Sequence, residues 1–126
     1  MSELQRNIPG HPNWEGSFYE ILTEYAEWNH DAFWRLHLEL TEIAQAVDQN
    51  QPVDRALALN LLTLQEKVMH LQVCHHDPKD SYVIQNISRD QLRDFMERFD
   101  YAIRGALSGE VLPETKFELI NPLIAS

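Results

Sequence analysis

The stretch FYEILTEYAEWNHDAFWRLHLELTEIAQAVDQ, residues 18–49, decides the fold. When it is placed on a helix at about 100° per residue, its apolar side chains keep one phase throughout. Ser17 and Glu20 precede them with the spacing of a capping box. We therefore expect one long helix over about 18–49, in preference to a break at which Asn29 and Asp31 would cap a second helix. The apolar stripe consists of Phe18, Leu22, Tyr25, Ala32, Phe33, Leu36, Leu40, Ile43 and Val47.

Two further helices are expected downstream, at about 52–74 and 88–108. Pro52 suits the first turn of the earlier helix. Ser88 and Gln91 form a capping box for the later one, and Gly109 is placed to end it. The outer side of that later helix pairs opposite charges at helical spacing, namely Arg93 with Glu97, Asp94 with Arg98 and Asp100 with Arg104.

The sequence thus predicts an all-α fold, an antiparallel bundle of three main helices within a single domain, 1–126. Residues 1–15 are expected to form an extended N-terminal arm. Residues 110–126 carry an apolar pattern and should dock as a C-terminal segment, with a short helix after Pro113.

Composition excludes several classes of function. The chain has 126 residues and a net charge of −10, which disfavours nucleic acid and anionic membranes as partners. A single cysteine excludes an internal disulfide framework. No apolar run is long enough to span a bilayer, and the first residues lack the apolar stretch of a signal peptide, so a cytoplasmic location is expected.

The negative charge is concentrated near the N-terminus, where residues 1–50 contain nine acids and two bases. Four of these acids follow each other at helical spacing and would form one acidic ridge on the first helix. Such a ridge can attract a basic partner and speed its association. The alternative is a solvated face that only keeps the protein in solution. The ridge consists of Glu20, Glu24, Glu27 and Asp31.

Trp34 and Leu38 lie one helical turn apart and off the apolar stripe of the first helix. Tryptophan is enriched at binding hot spots, so an exposed Trp34 beside the acids would anchor a partner. The alternative is that the C-terminal segment or another helix covers both side chains.

The second predicted helix is apolar on two sides. Its extra stripe, formed by Leu59, Leu62, Met69 and Val73, needs a cover. A homodimer that packs this stripe about a twofold axis would supply one. The C-terminal segment is the alternative cover.

A histidine and cysteine cluster closes the same helix. His70 and Cys74 are one turn apart, and His75 and His76 follow directly. A pair of ligands at this spacing can hold a transition metal such as zinc, with a loop histidine completing the site. Histidines at a helix C-terminus are also favoured by the helix dipole without any metal.

No catalytic constellation accompanies these features, and no phosphate-binding glycine loop is present. We therefore expect a small acidic protein that is not an enzyme and needs no cofactor. The favoured function is an inhibitor, or an immunity or antitoxin-like protein, that neutralises a basic protein partner through the first helix. The alternative is a metal-binding helical-bundle protein that uses the His70–His76 cluster.

Overall fold

A computed structural model describes residues 2–124 and contains five α-helices within that range. They are α1 (Ser2–Arg6), α2 (Phe18–Tyr25), α3 (His30–Gln45), α4 (Arg55–His76) and α5 (Arg89–Ser108), followed by a 3-10 turn at Glu114–Lys116. The prediction of an all-α fold is confirmed. Residue 1 of the predicted arm and residues 125–126 of the predicted tail lie outside the described residues. None of the described helices is both long and apolar enough to cross a membrane.

The prediction of an unbroken helix over 18–49 is wrong, because the chain leaves the helical path between α2 and α3. Ala26 takes a left-handed conformation with φ 51° and ψ 37°. Its carbonyl accepts the Gln85 N–H at 2.6 Å, and the Trp28 N–H donates to the Gln85 carbonyl at 3.0 Å. This isolated bridge to a distant loop replaces helical hydrogen bonds. Asn29 then caps α3, as the alternative interpretation of the sequence had it.

The predicted extended arm, 1–15, is also wrong in part, because α1 forms and docks. Leu4 is completely buried in the core. The carboxylate of Glu39 on α3 accepts the backbone N–H groups of Glu3 and Leu4 at 3.2 and 2.5 Å. It satisfies two of the donors that a helix N-terminus leaves unpaired. The Asn7 side chain accepts a backbone N–H of α2 at 2.7 Å and ties the next turn of the arm down.

α4 and α5 correspond closely to the second and third predicted helices. α4 begins three residues later than expected, because Asp54 provides the cap by accepting the Leu57 N–H at 2.8 Å, and Pro52 stays in the loop. α5 begins after the capping box of Ser88 and ends at Gly109, whose φ is 82°. Both ends of α5 are therefore where the sequence placed them.

The three long helices alternate in direction. Phe33 on α3 contacts Phe95 on α5 with ring centroids 5.0 Å apart, and His37 meets Arg98 one turn further along both helices, so these two helices run parallel. α4 lies antiparallel to them, and its Gln65 donates to Asp100 of α5 at 3.3 Å. This arrangement is the predicted up-down-up bundle. The core contains Leu4, Phe18, Leu22, Trp28, Phe33, Leu36, Leu40, Leu61, Leu64, Leu92, Phe95 and Phe99.

The C-terminal segment docks on the bundle, as predicted, along α3 and α5. Leu119 packs against the core and Asn121 is fully buried. The segment crosses α5 at Gly105, where a Cβ would lie only 2.6 Å from the Glu110 carbonyl oxygen. Glycine is therefore required at that crossing for steric reasons.

Candidate functional site

The predicted acidic ridge is not a continuous stripe, because the break between α2 and α3 separates its members. Glu20 is only 7% exposed, and its carboxylate accepts the Gly16 N–H at 3.0 Å. Glu24 on α2, Glu27 in the break and Asp31 on α3 are exposed. One member of the ridge is therefore part of the α2 cap, and only three are available to a partner.

Trp34 is 7% exposed, so the expectation of an exposed tryptophan anchor is wrong. Its ring packs against Phe33 and Phe95 with centroids 5.2 Å away in each case. The Asn121 side chain donates to the Trp34 backbone carbonyl at 3.1 Å, and Arg98 of α5 lies over the ring. Leu38 is half-buried. The alternative interpretation, that another part of the fold covers the side chain, is correct for Trp34.

A buried polar cluster beside Trp34 was not foreseen from the sequence. The guanidinium of Arg98 donates to both oxygens of Glu114 at 2.6 and 2.5 Å and lies 3.1 Å from His37 Nε2. Asn121 completes the cluster, with its side-chain nitrogen 2.9 Å from His37 Nδ1 and its backbone N–H donating to Glu114 at 2.7 Å. The Phe117 ring lies 3.9 Å from the guanidinium carbon of Arg98.

The ionisation of this cluster follows from its burial. Burial, reinforced by the positive charge of Arg98 and opposed by Glu114, lowers the pKa of His37 from 6.5 to about 4. Burial works to raise the pKa of Glu114, but hydrogen bonds from Arg98 and the Asn121 backbone, together with the Arg98 charge, lower it. At neutral pH the cluster therefore contains a neutral imidazole and a buried ion pair. The contacts of Arg98 with Glu114, and of His37 with Asn121, hold the C-terminal segment against α3 and α5.

The histidine and cysteine cluster does not assemble into a metal centre. Cys74 Sγ lies 3.7 Å from His70 Nε2, but His75 turns away and accepts the Ile84 N–H through Nδ1 at 2.9 Å. His76 is exposed, and its ring contacts the His75 ring edge to face. Within residues 2–124, no group of three or more His, Cys, Asp or Glu side chains is placed to hold a metal ion.

The extra apolar stripe of α4, which the sequence predicted to need a cover, is exposed in the single chain. Leu59, Leu62, Met69 and Val73 are 65%, 57%, 46% and 66% exposed. The C-terminal segment, as far as residue 124, docks on α3 and α5 and does not cover them. We call these four residues the α4 face.

A groove of about 700 Å³ opens where α3, the loop 46–54, the start of α4 and the end of α5 meet. Its volume lies within the range of about 300–1,000 Å³ that is typical of ligand-binding clefts. Its apolar lining comes from Ile43, Ala46, Val47, Pro52, Val53, Leu57, Ala106 and Leu107.

The rim of this groove is acidic. Carboxylates of Glu39, Glu42, Asp48 and Asp54 border it, and the described residues that line it include no lysine and no arginine. Glu39 is half-buried and caps α1, whereas Glu42, Asp48 and Asp54 are exposed. Asp48 and Asp54 each accept one backbone N–H as well. We call this feature the acid-rimmed groove.

The loop 46–54 is held in place by contacts, including two with the end of α5, that could not be predicted from the sequence. Gln49 donates its side-chain N–H to the Ser108 carbonyl at 3.0 Å, and Asp48 accepts the Asn50 N–H at 2.9 Å. Val47 packs closely over Gly109, where a Cβ would lie 3.1 Å from the Val47 Cβ. Acids interspersed with apolar residues from Glu39 to Leu57 were a sequence signal for this groove. The side of the groove formed by the end of α5 could not be predicted, because it comes from a distant part of the chain.

Comparisons of this chain with protein-family models, with curated proteins and with solved structures found no match.

Proposed function

We propose that this protein is a non-enzymatic binding protein that neutralises a basic protein partner and receives it in the acid-rimmed groove. An inhibitor or an immunity-type protein would act in this way. The observation that supports the proposal is the groove itself, because it combines an apolar lining with three exposed carboxylates and no basic side chain among the described residues that line it. The net charge of −10 adds a long-range attraction for a basic partner.

The chemistry of the groove suggests an amphipathic partner segment. Its apolar side chains would occupy the floor formed by Val47, Val53 and Leu57, and its lysines or arginines would meet Glu42 and Asp48 at the rim. Apolar burial gives affinity in such an arrangement, while the charged rim gives orientation and a fast association rate. The proposal moves the docking site from the predicted residues between Glu20 and Leu38 to the C-terminal end of the same predicted helix and the loop that follows it.

A defined peptide tests the proposal. We expect a synthetic amphipathic helix of leucine and lysine to bind, and a leucine and glutamine peptide with the same apolar face to bind at least about tenfold more weakly. Fluorescence anisotropy over a series of salt concentrations measures both. The affinity for the lysine peptide should fall as salt rises, because screening weakens exposed charge pairs.

Matched variants locate the site. Glu42→Gln with Asp48→Asn removes two charges from the rim, and Val53→Glu places a charge in the floor at a residue that is already 51% exposed. Both should weaken peptide binding. The control, Glu24→Gln with Glu27→Gln, removes the same number of charges far from the groove and should bind almost normally. Undiminished binding by the groove variants, or a loss confined to the control, would contradict the proposed site.

A further inference from the structure

We infer that the α4 face binds a second copy of this chain, with the two α4 helices antiparallel about a twofold axis near Glu66. The inference rests on residues that do not line the acid-rimmed groove, so it is independent of the proposed function. Three observations support it: the spacing of the exposed side chains, the shape of the surface around them, and the distribution of charge.

The spacing is that of a helix–helix seam. Leu59, Leu62, Met69 and Val73 are separated by three, seven and four residues, and Glu66 takes the one missing position of the heptad pattern. All four apolar side chains are about half exposed or more, over about 21 Å of helix. A helix whose second apolar stripe has heptad spacing can pack that stripe against a second helix.

The shape of the surface differs between the two halves of the face. Leu59 and Leu62 are the N-terminal half and stand out from the bundle, at 65% and 57% exposure. The C-terminal half borders a hollow of about 490 Å³ between α4 and α5, lined by Met69, Gln72 and Met96 among others. A shallower hollow of about 530 Å³ continues it to Val73.

A twofold axis at the middle of the face makes these two halves complementary. The leucines of each copy come to lie over the hollow of the other copy, so one contact is made twice. Such self-complementarity is what a twofold interface requires. Methionines beside the hollow can adapt to the incoming side chains because they are flexible and unbranched.

The charge distribution favours the same surface. Two copies that each carry −10 repel one another over most of their surfaces. α4 differs, since it carries Arg55 and Lys67 against the single acid Glu66. In the antiparallel arrangement Arg55 at one end also approaches Asp77 at the opposite end of the partner helix. Glu66 is the unfavourable element, because the axis brings the two Glu66 carboxylates together.

The size of the face sets the expected strength. A stable dimer commonly buries about 800 Å² on each partner, and a single seam of four apolar residues falls short of that. We therefore expect a dissociation constant in the micromolar range and a concentration-dependent equilibrium.

Sedimentation equilibrium of the whole chain tests the inference. The wild type should shift from monomer to dimer between about 5 and 500 μM. Leu62→Glu and Val73→Glu should each raise the dissociation constant at least about tenfold, because each places a charge in the seam. Val83→Glu is the matched control, since Val83 is 47% exposed on a loop and should leave association unchanged. Glu66→Gln should tighten the dimer. A wild type that is monomeric throughout, or seam variants that associate normally, would overturn the inference.

Disulfide trapping tests the orientation. In a Cys74→Ser background, Glu66→Cys should cross-link to itself under mild oxidation, because the axis passes close to it. Leu59→Cys alone should not, since its two copies would lie about 21 Å apart along the direction of the paired helices. A mixture of Leu59→Cys and Val73→Cys chains should cross-link to each other. Ready self-cross-linking of Leu59→Cys would indicate parallel helices and refute the antiparallel arrangement. The peptide assay repeated on the Leu62→Glu monomer separates failure of the dimer from failure of the groove.

Discussion

Glu114→Ala tests how strongly the buried ion pair holds the C-terminal segment. The Arg98 and Glu114 side chains are 3% and 14% exposed, so the pair is shielded from solvent. Removal of the carboxylate deletes both Arg98 contacts and the acceptor for the Asn121 N–H. The guanidinium then stays buried beside the neutral His37 without a counter-charge. Loss of one partner of a buried pair costs about 3–5 kcal/mol, and the partial exposure of Glu114 places our expectation near 3 kcal/mol.

The double variant Arg98→Met with Glu114→Leu separates the pair from its surroundings. It replaces both charges with apolar groups of similar size, and the Phe117 ring that covers Arg98 can pack on a methionine. We expect it to be more stable than Glu114→Ala, because no charge is left buried. It should stay about 1–2 kcal/mol below the wild type, since the buried Asn121 N–H loses its acceptor.

Urea unfolding followed by circular dichroism measures the stabilities, and hydrogen exchange of the amides in 110–124 reports local release of the segment. The single variant should accelerate exchange there more than in α4. The reasoning is refuted if Glu114→Ala costs less than about 1 kcal/mol and leaves exchange unchanged, or if the double variant is no more stable than the single one.

Three further outcomes follow from the structure. Trp34→Ala should lower the unfolding free energy by about 3–5 kcal/mol in urea, because the ring is buried, and a loss below about 1 kcal/mol would place the side chain outside the core. Since the pKa of His37 falls from 6.5 to about 4 on folding, the unfolded chain binds one more proton between those pH values. That contribution, on the order of 3 kcal/mol, is complete above pH 6.5 and is lost as the pH falls to 4, and His37→Gln should flatten the measured pH dependence of stability in that window. Ser88→Ala should cost about 1 kcal/mol through loss of the α5 cap, whereas Ser108→Ala at the other end should be nearly neutral in the same assay.

The ends of α5 could be predicted because their determinants are local. The hydroxyl of Ser88 and the side chain of Gln91 satisfy each other's backbone groups three residues apart. Gly109 supplies the left-handed conformation that stops the helix. Both signals lie within a few residues of the helix end that they define, so the local sequence is enough to predict that end.

The break between α2 and α3 could not be predicted with the same certainty. The apolar stripe keeps the same phase from Tyr25 to Ala32, on either side of the break, so periodicity alone favours one helix. What interrupts it is a pair of hydrogen bonds to Gln85, a residue nearly sixty positions away. Only the capping ability of Asn29 was visible in the sequence, and it pointed to the correct alternative.

The candidate functional surfaces show the same difference between features with local determinants and features that depend on distant contacts. Helical periodicity predicted the second apolar stripe of α4, which the single chain leaves exposed. Arg98 was assigned to the charged outer side of its helix with Asp94 as its partner, but it is 2% exposed and binds Glu114 instead. Its neighbour Asp100 does pair with Arg104 at 3.1 Å, as the spacing predicted. Helical spacing can identify a possible ion-pair partner within the same helix, but it cannot show that a residue from another segment forms the stronger ion pair.

The docking of the C-terminal segment has a consequence for the order of events in folding. The hydrogen bond between Asn121 and Trp34 joins residues 87 positions apart, and the contact of Asn121 with His37 spans 84. Helical bundles usually fold fast because most of their contacts are local, and contacts this distant slow the search for the native state. During synthesis, the part of α3 around Trp34 and His37 also emerges long before the segment that docks on it. The nascent chain therefore leaves this part of α3 without its partner until Asn121 has left the ribosome, and transiently exposed apolar surface of this kind favours aggregation or chaperone binding.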